Sequence, residues 1–212
     1  MTHFADMIDG YRRFRSGGWQ EQRERWEGLA EGQAPKVMVI ACSDSRVEPS
    51  QIFDTNPGEI FVVRNVAALV PPFETTPGRH GVSAALEFAV QFLKVEEIVV
   101  MGHGLCGGCH AALHRSMAGA EPGRGGFIAD WIALLDDASA QVRRDYADID
   151  NRDAGRAMEM AAVRVSLNNL RTFPCIQDKE QRGRLRLRGA FFAISDGVLH
   201  LLDDTTGEFR AA

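Results

Sequence analysis

Short unbroken apolar runs alternate along the chain with segments whose apolar positions recur every three or four residues. VMVIA at 37–41, IFVVRN at 60–65 and EEIVVMGH at 96–103 have the length and β-branched content of strands buried on both faces. Asn56-Pro57-Gly58 supplies a turn before the second of them. Val82, Ala85, Leu86, Ala89, Val90 and Leu93 share one face of a helix over about 81–94, and CHAALHRSM opens another after the third strand. A glycine-rich loop at 121–126 precedes two long helical patterns, roughly 127–148 and 153–172. Their apolar faces are Ile128, Trp131, Leu134 and Leu135, then Met158, Ala161, Val165 and Leu170. GAFFAISDGVLHLLD joins two apolar runs at Asp196-Gly197, a hairpin signal. The KEQRGRLRLRG segment before it alternates Leu with Arg as a half-exposed strand does, a binding patch being the minor alternative. At the other end, Phe4, Met7, Ile8, Tyr11, Phe14, Trp19 and Trp26 lie at helical intervals in a polar, charged lead-in. That aromatic face suits either the domain's own core or a partner subunit. The pattern predicts an α/β fold: a mainly parallel sheet flanked by helices on both faces, an antiparallel edge strand near the C-terminus and an N-terminal helical extension.

Composition narrows the picture. A chain of 212 residues with 45% hydrophobic content supports one sizeable core, so residues 1–212 are read as a single domain with 1–34 as a helical arm. The net charge of −5, from 24 basic and 29 acidic residues, comes with no basic block. Nucleic acid and anionic membranes are therefore excluded as expected partners, leaving a small-molecule substrate. The N-terminus lacks the apolar core of a signal peptide and no later run approaches a membrane span, which points to the cytoplasm. Four cysteines are far too few for a disulfide scaffold.

Candidate chemistry concentrates in GHGLCGGCH at 102–110, which satisfies three motifs. Gly102, Gly104 and Gly107 spell the dinucleotide fingerprint G-x-G-x-x-G, but the acidic residue at the required spacing, Glu121, falls in a loop. The three glycines are better read as permitting a tight strand-to-helix turn. Cys106 and Cys109 spell a dithiol pair, a reading that leaves Cys42, Asp44 and His103 without a role. Cys109, Cys175, His110 and His114 are assigned to packing or surface. The third reading is metal. Ligands bind beyond the carboxyl ends of parallel strands, and two such ends here carry Cys42-Ser43-Asp44-Ser45-Arg46 and His103-Gly104-Leu105-Cys106. If the first and third strands are neighbours, Cys42, His103 and Cys106 form a Cys₂His set, the composition of a catalytic zinc site with one open position. Asp44 is then either a fourth ligand or, paired with Arg46, a hydrogen-bond acceptor beside the metal.

Cys42-x-Asp44-x-Arg46 with His103-x-x-Cys106, the following Gly107-Gly108 and the intervening FVVRNVA resemble a β-class carbonic anhydrase over nearly the whole chain. The resemblance implies reversible hydration of carbon dioxide to bicarbonate by attack of a zinc-bound hydroxide, with one Zn²⁺ per chain on Cys42, His103 and Cys106. It implies that Asp44 orients the hydroxide while Arg46 holds Asp44 off the metal. Gln33 would hydrogen-bond the substrate, often across a dimer, and Phe61, Val66 and Phe88 would form its apolar pocket. A homodimer or larger homo-oligomer is implied, with the aromatic N-terminal helices embracing the partner. Val39 stands where bicarbonate-regulated members carry tryptophan, although Arg64 matches a residue of that second site, and Gly104 replaces a common small hydroxyl residue. A relative that keeps the metal but acts on carbon disulfide or carbonyl sulfide, or a zinc-bound scaffold, is the alternative.

Overall fold

The computed structural model describes residues 2–212 and divides into two compact units, Met1–Ala34 and Pro35–Ala212. The first unit holds three helices, α1 (Phe4–Ser16), α2 (Gly18–Glu21) and α3 (Arg23–Glu31), interrupted at Gly17 and Gln22. None of their residues is buried, and Phe4, Met7 and Tyr11 are 75%, 60% and 57% exposed. Within the unit, Phe14 meets Trp26 edge-on at 5.8 Å between ring centroids.

The second unit is built on six strands: β1 (Val37–Cys42), β2 (Ile60–Asn65), β3 (Glu97–His103), β4 (Arg186–Ala193), β5 (Val198–Leu202) and β6 (Phe209–Ala211). They lie in the order β2-β1-β3-β4-β5-β6, the first four parallel and the last two antiparallel. Its helices are α4 (Pro49–Ile52), α5 (Gly81–Glu87), α6 (Gly107–His114), α7 (Gly126–Ile132), α8 (Asp136–Asp145), α9 (Arg152–Leu170) and α10 (Pro174–Gln181). No helix among the described residues is long and apolar enough to cross a membrane.

The period of two along β1 decides where its side chains go. Met38 and Ile40 enter the main core with Ile98, Val100, Leu86, Val90, Val163 and Leu167. Val39 and Ala41 point to the opposite face with Met101 and Ala190. A third cluster, containing Cys42, Cys106, Leu135 and Met158, includes the last residue of β1 and the third residue after β3. Each fully buried Leu or Ile side chain contributes about 1.5–3 kcal/mol, so the strand ends that carry the motifs are rooted in densely packed structure.

The hairpin forms as the Asp196-Gly197 signal predicts, with Gly197 at φ 74° and the Asp196 carboxylate accepting the Val198 N–H at 3.0 Å. Leu185 and Leu187 are buried between exposed Arg186 and Arg188. Beyond β5, however, β6 forms the actual edge, and α10 was not foreseen. The helix expected over 81–94 is α-helical only to Glu87; Phe88–Leu93 widens into a π-helix that ends at left-handed Lys94. Likewise 127–148 is broken by a 3₁₀ turn at Ala133–Leu135, and Ile128, expected on the apolar face, is exposed.

The glycines of the 102–110 motif prove to have separate reasons. A Cβ on Gly102 would lie 2.7 Å from Val163 Cγ2, so this glycine lets β3 approach α9, whereas Gly104 and Gly107 have no such crowding. The left-handed residue of the strand-to-helix turn is Leu105, at φ 59°, not one of the glycines. Gly102→Ala is expected to destabilise the fold by about 1–3 kcal/mol through overpacking, while Gly107→Ala changes stability little. Equal urea midpoints for the two variants would refute this assignment.

Candidate metal centre

β1 pairs with both β2 and β3, so the end of β1 lies between Asn65, its register partner on β2, and the end of β3. This adjacency brings Cys42 to the segment after His103. The Sγ atoms of Cys42 and Cys106 are 4.0 Å apart, and with a ring nitrogen of His103 all three donor atoms lie within 4.8 Å of one another. All three side chains are buried.

His103 shows the direction of the site. Its Nδ1 lies 2.9 Å from the Gly104 carbonyl oxygen, which can only accept, so Nδ1 carries the proton and donates. Its Nε2 is buried and has no hydrogen-bond partner. A buried nitrogen without a partner is costly, and a cation between it and the two sulfurs removes that cost. The thiols make the same point. Cys42 is pushed up to about 12 by the adjoining Cys106 thiol and by burial. Cys106 rises to about 12 too, through the Cys109 thiol first, with burial adding. Without a cation both keep their protons, and metal uptake must displace them. Two soft thiolates and an oriented imidazole are a donor set that fits zinc.

Asp44 is the next charged group. Arg46 grips it side-on, Nε to Oδ1 at 2.9 Å and a terminal nitrogen to Oδ2 at 2.6 Å, and the Arg46 backbone N–H adds a third bond to Oδ1 at 3.0 Å. The guanidinium holds the carboxyl far below the usual carboxylate range. Asp44 Oδ2 lies 3.9 Å from His103 Nε2, on the side of the donor trio. Arg46 also donates to the Leu105 carbonyl at 2.9 Å, linking the two ligand-bearing loops.

Arg64 is wholly engaged with the 42–48 loop. It donates to the carbonyls of Cys42 at 3.0 Å, Asp44 at 2.8 Å and Val47 at 2.6 Å, and pairs with Glu48 at 2.5 Å. Val39, which pairs with Val62 and not with Arg64, is buried apolar filling on β1. The sequence reading missed Glu159, a buried carboxylate on α9 that accepts the Cys106 N–H at 3.0 Å and whose carboxyl is pushed up by burial. The only signal was an acid directly beside Met158 on the inward side of the helix.

The remaining expected residues divide. Val66, at the end of β2, stands against Gly108, where a Cβ would come within 2.7 Å of Val66 Cγ1. Phe61 and Phe88 sit together, 6.0 Å between centroids, and Phe88 stacks on Phe92 at 5.8 Å. Phe61 is near the opposite end of β2, roughly 13 Å from Asn65 along an extended strand, so a single chain does not bring it to Val66. Gln33 is exposed and belongs to the first unit. Cys109 is buried and Cys175 half-buried, both as free thiols.

Comparison with known proteins agrees with this geometry. The family model described as carbonic anhydrase matches residues 37–199. Beta carbonic anhydrase 3 of Arabidopsis thaliana is 36% identical over 194 residues, covering 91% of this chain and 74% of that protein. Among solved structures, the β-carbonic anhydrase CcaA superposes with a TM-score of 0.91 at 31% identity over 100% of both chains. A tetrameric β-carbonic anhydrase of the ascomycete Sordaria macrospora gives 0.77 at 27% identity, covering 94% of this chain and 96% of that one. With strand order, buried donor trio and Asp44–Arg46 pair all in place, the chain belongs to the β-class carbonic anhydrases.

Proposed function

We propose that the protein interconverts carbon dioxide and water with bicarbonate and a proton, using one zinc ion held by Cys42, His103 and Cys106. The observation that carries this reading is the partnerless, buried Nε2 of His103, which converges with two thiols beside a locked carboxylate. Zinc bound there supplies the Lewis acidity that ionises water near neutral pH.

The chain's own residues do the rest. Asp44 is ionised and fixed, hence an obligate acceptor; it takes an O–H of the attacking water and leaves a lone pair free for the substrate carbon. Arg46 occupies both Asp44 oxygens, so the carboxylate does not swing in to close the open position. Val66 offers an apolar wall suited to an uncharged linear molecule and poorly suited to a product anion.

Phe61, Phe88 and Gln33 act in the same reading on a neighbouring copy's metal centre, since one chain does not gather Phe61 with Val66. The uncovered stripe of Phe4, Met7 and Tyr11 supports a homo-oligomer. The deciding experiment pairs metal analysis with stopped-flow hydration in indicator buffer and sedimentation of the same sample. One zinc per chain with hydration far above buffer, in a dimer or larger species, is expected. A zinc-loaded protein that hydrates no faster than buffer, or converts only carbonyl sulfide, would overturn the activity; an active monomer would overturn the assembly.

A further inference from the structure

Immediately after β2 the backbone makes an unfavourable turn. Ala67 and Ala68 have φ of 63° and 54°, the only consecutive non-glycine pair in the left-handed region among the described residues. L-residues resist this conformation, so the surroundings must impose it. They do so side chain by side chain. Asn65 closes on Leu69 in both directions at 2.8 Å. Ser166 donates to the Ala68 carbonyl at 3.1 Å and accepts the Val70 N–H at 3.2 Å. Asn169 donates to the Val70 carbonyl at 2.8 Å. Val66 itself is held from a different element: Trp131, on α7, donates its indole N–H to the Val66 carbonyl at 2.9 Å. The turn is pressed against Gly108, two residues past Cys106, where no Cβ fits.

We propose that Trp131 is a positioning residue, whose hydrogen bond keeps this strained turn in the one conformation that presents Val66 as a wall of the metal centre. This rests on the reading of Val66 as substrate wall. Relaxation of either alanine toward negative φ would swing the Val66 peptide away from Gly108, and Trp131 opposes that motion at its pivot. The wall meets substrate before and during reaction alike, so its loss raises KM and leaves kcat in place.

Trp131→Phe removes the donor and keeps an aromatic ring of similar bulk. It is expected to raise KM for carbon dioxide about fivefold or more, with kcat and zinc content unchanged, and to speed amide hydrogen exchange at 66–69. Adding Ala67→Gly, which adopts the turn without strain, should bring KM and exchange protection back toward wild type. A fall in kcat at constant KM would mark lost folded or metal-loaded enzyme and overturn the proposal. So would unchanged KM and protection, or no restoration by glycine. If the wild type hydrates no carbon dioxide, the functional reading fails instead, and the exchange pattern still decides whether Trp131 holds the turn.

Discussion

Serine at position 42 leaves a folded protein that retains no stoichiometric metal and hydrates carbon dioxide at the buffer rate. The substitution exchanges one sulfur for oxygen at a site that is 6% exposed, so packing is nearly conserved. The donor is not: a serine hydroxyl keeps its proton where a thiol on zinc gives it up, and it is a poor partner for a borderline-soft ion. Loss of partners that merely orient a ligand costs about 10- to 100-fold in metal affinity, and loss of one of three ligands must exceed that. Cys175→Ser is the control, since it makes the same exchange at a half-buried thiol outside the trio. Metal analysis after dialysis against a weak chelator, with circular dichroism to confirm folding, reads the result. Full zinc occupancy in Cys42→Ser would remove Cys42 from the ligand set.

Asp44→Asn is the second large effect, and it separates chemistry from metal binding. The amide matches the carboxylate in shape, still accepts through one oxygen, and presents an N–H₂ donor where the attacking water requires an acceptor. Arg46 loses its counter-charge and its second contact. With zinc retained, kcat/KM should fall about 100- to 1000-fold, the range seen when one oriented polar group is removed from a reacting centre. Because Asp44 lies far below the usual carboxylate range, it does not titrate across the working pH, so the loss should persist from pH 6 to 9. A variant that regained activity at high pH would show that the carboxylate serves a proton equilibrium and not a fixed hydrogen bond.

How much of this was legible beforehand follows from the physics of each signal. Parallel strands write themselves as apolar runs, so β1, β2 and β3 could be read directly, and strand adjacency then placed Cys42 beside Cys106. Burial on both faces was wrong for β2, which lies at the sheet edge and is only half-buried along its length. The Asp44–Arg46 pair was half readable: the spacing left Asp44 as either a fourth ligand or Arg46's partner, and the family resemblance favoured the second, which the side-on hydrogen bonds match. Glu159 was not, because a single acid in a long helix ordinarily faces solvent and only the fold turns it inward. Leu105 escaped notice since leucine carries no turn preference, while three nearby glycines drew the turn to themselves. The Ala67-Ala68 strain is invisible in the two alanines themselves: nothing in them announces left-handed backbone that Asn65 nearby and Trp131, Ser166 and Asn169 far along the chain impose. The breaks within 81–94 and 127–148 were hidden by apolar residues that continue through them.

The spacing of the ligands also bears on how the protein matures. Cys42 and Cys106 are 64 positions apart and meet only when β1 and β3 pair in parallel, a late event for non-local topology. Before then, residues 103–110 hold two imidazoles and two thiols, His103, Cys106, Cys109 and His110, within eight positions. That segment is a chelator in its own right while the chain is unfolded, and metal bound there stabilises the unfolded ensemble. Early zinc is therefore a trap. Refolding with zinc present from the start should give a slower, lower recovery than refolding under chelation followed by loading, and equal yields from the two orders of addition would show that the competing site never forms.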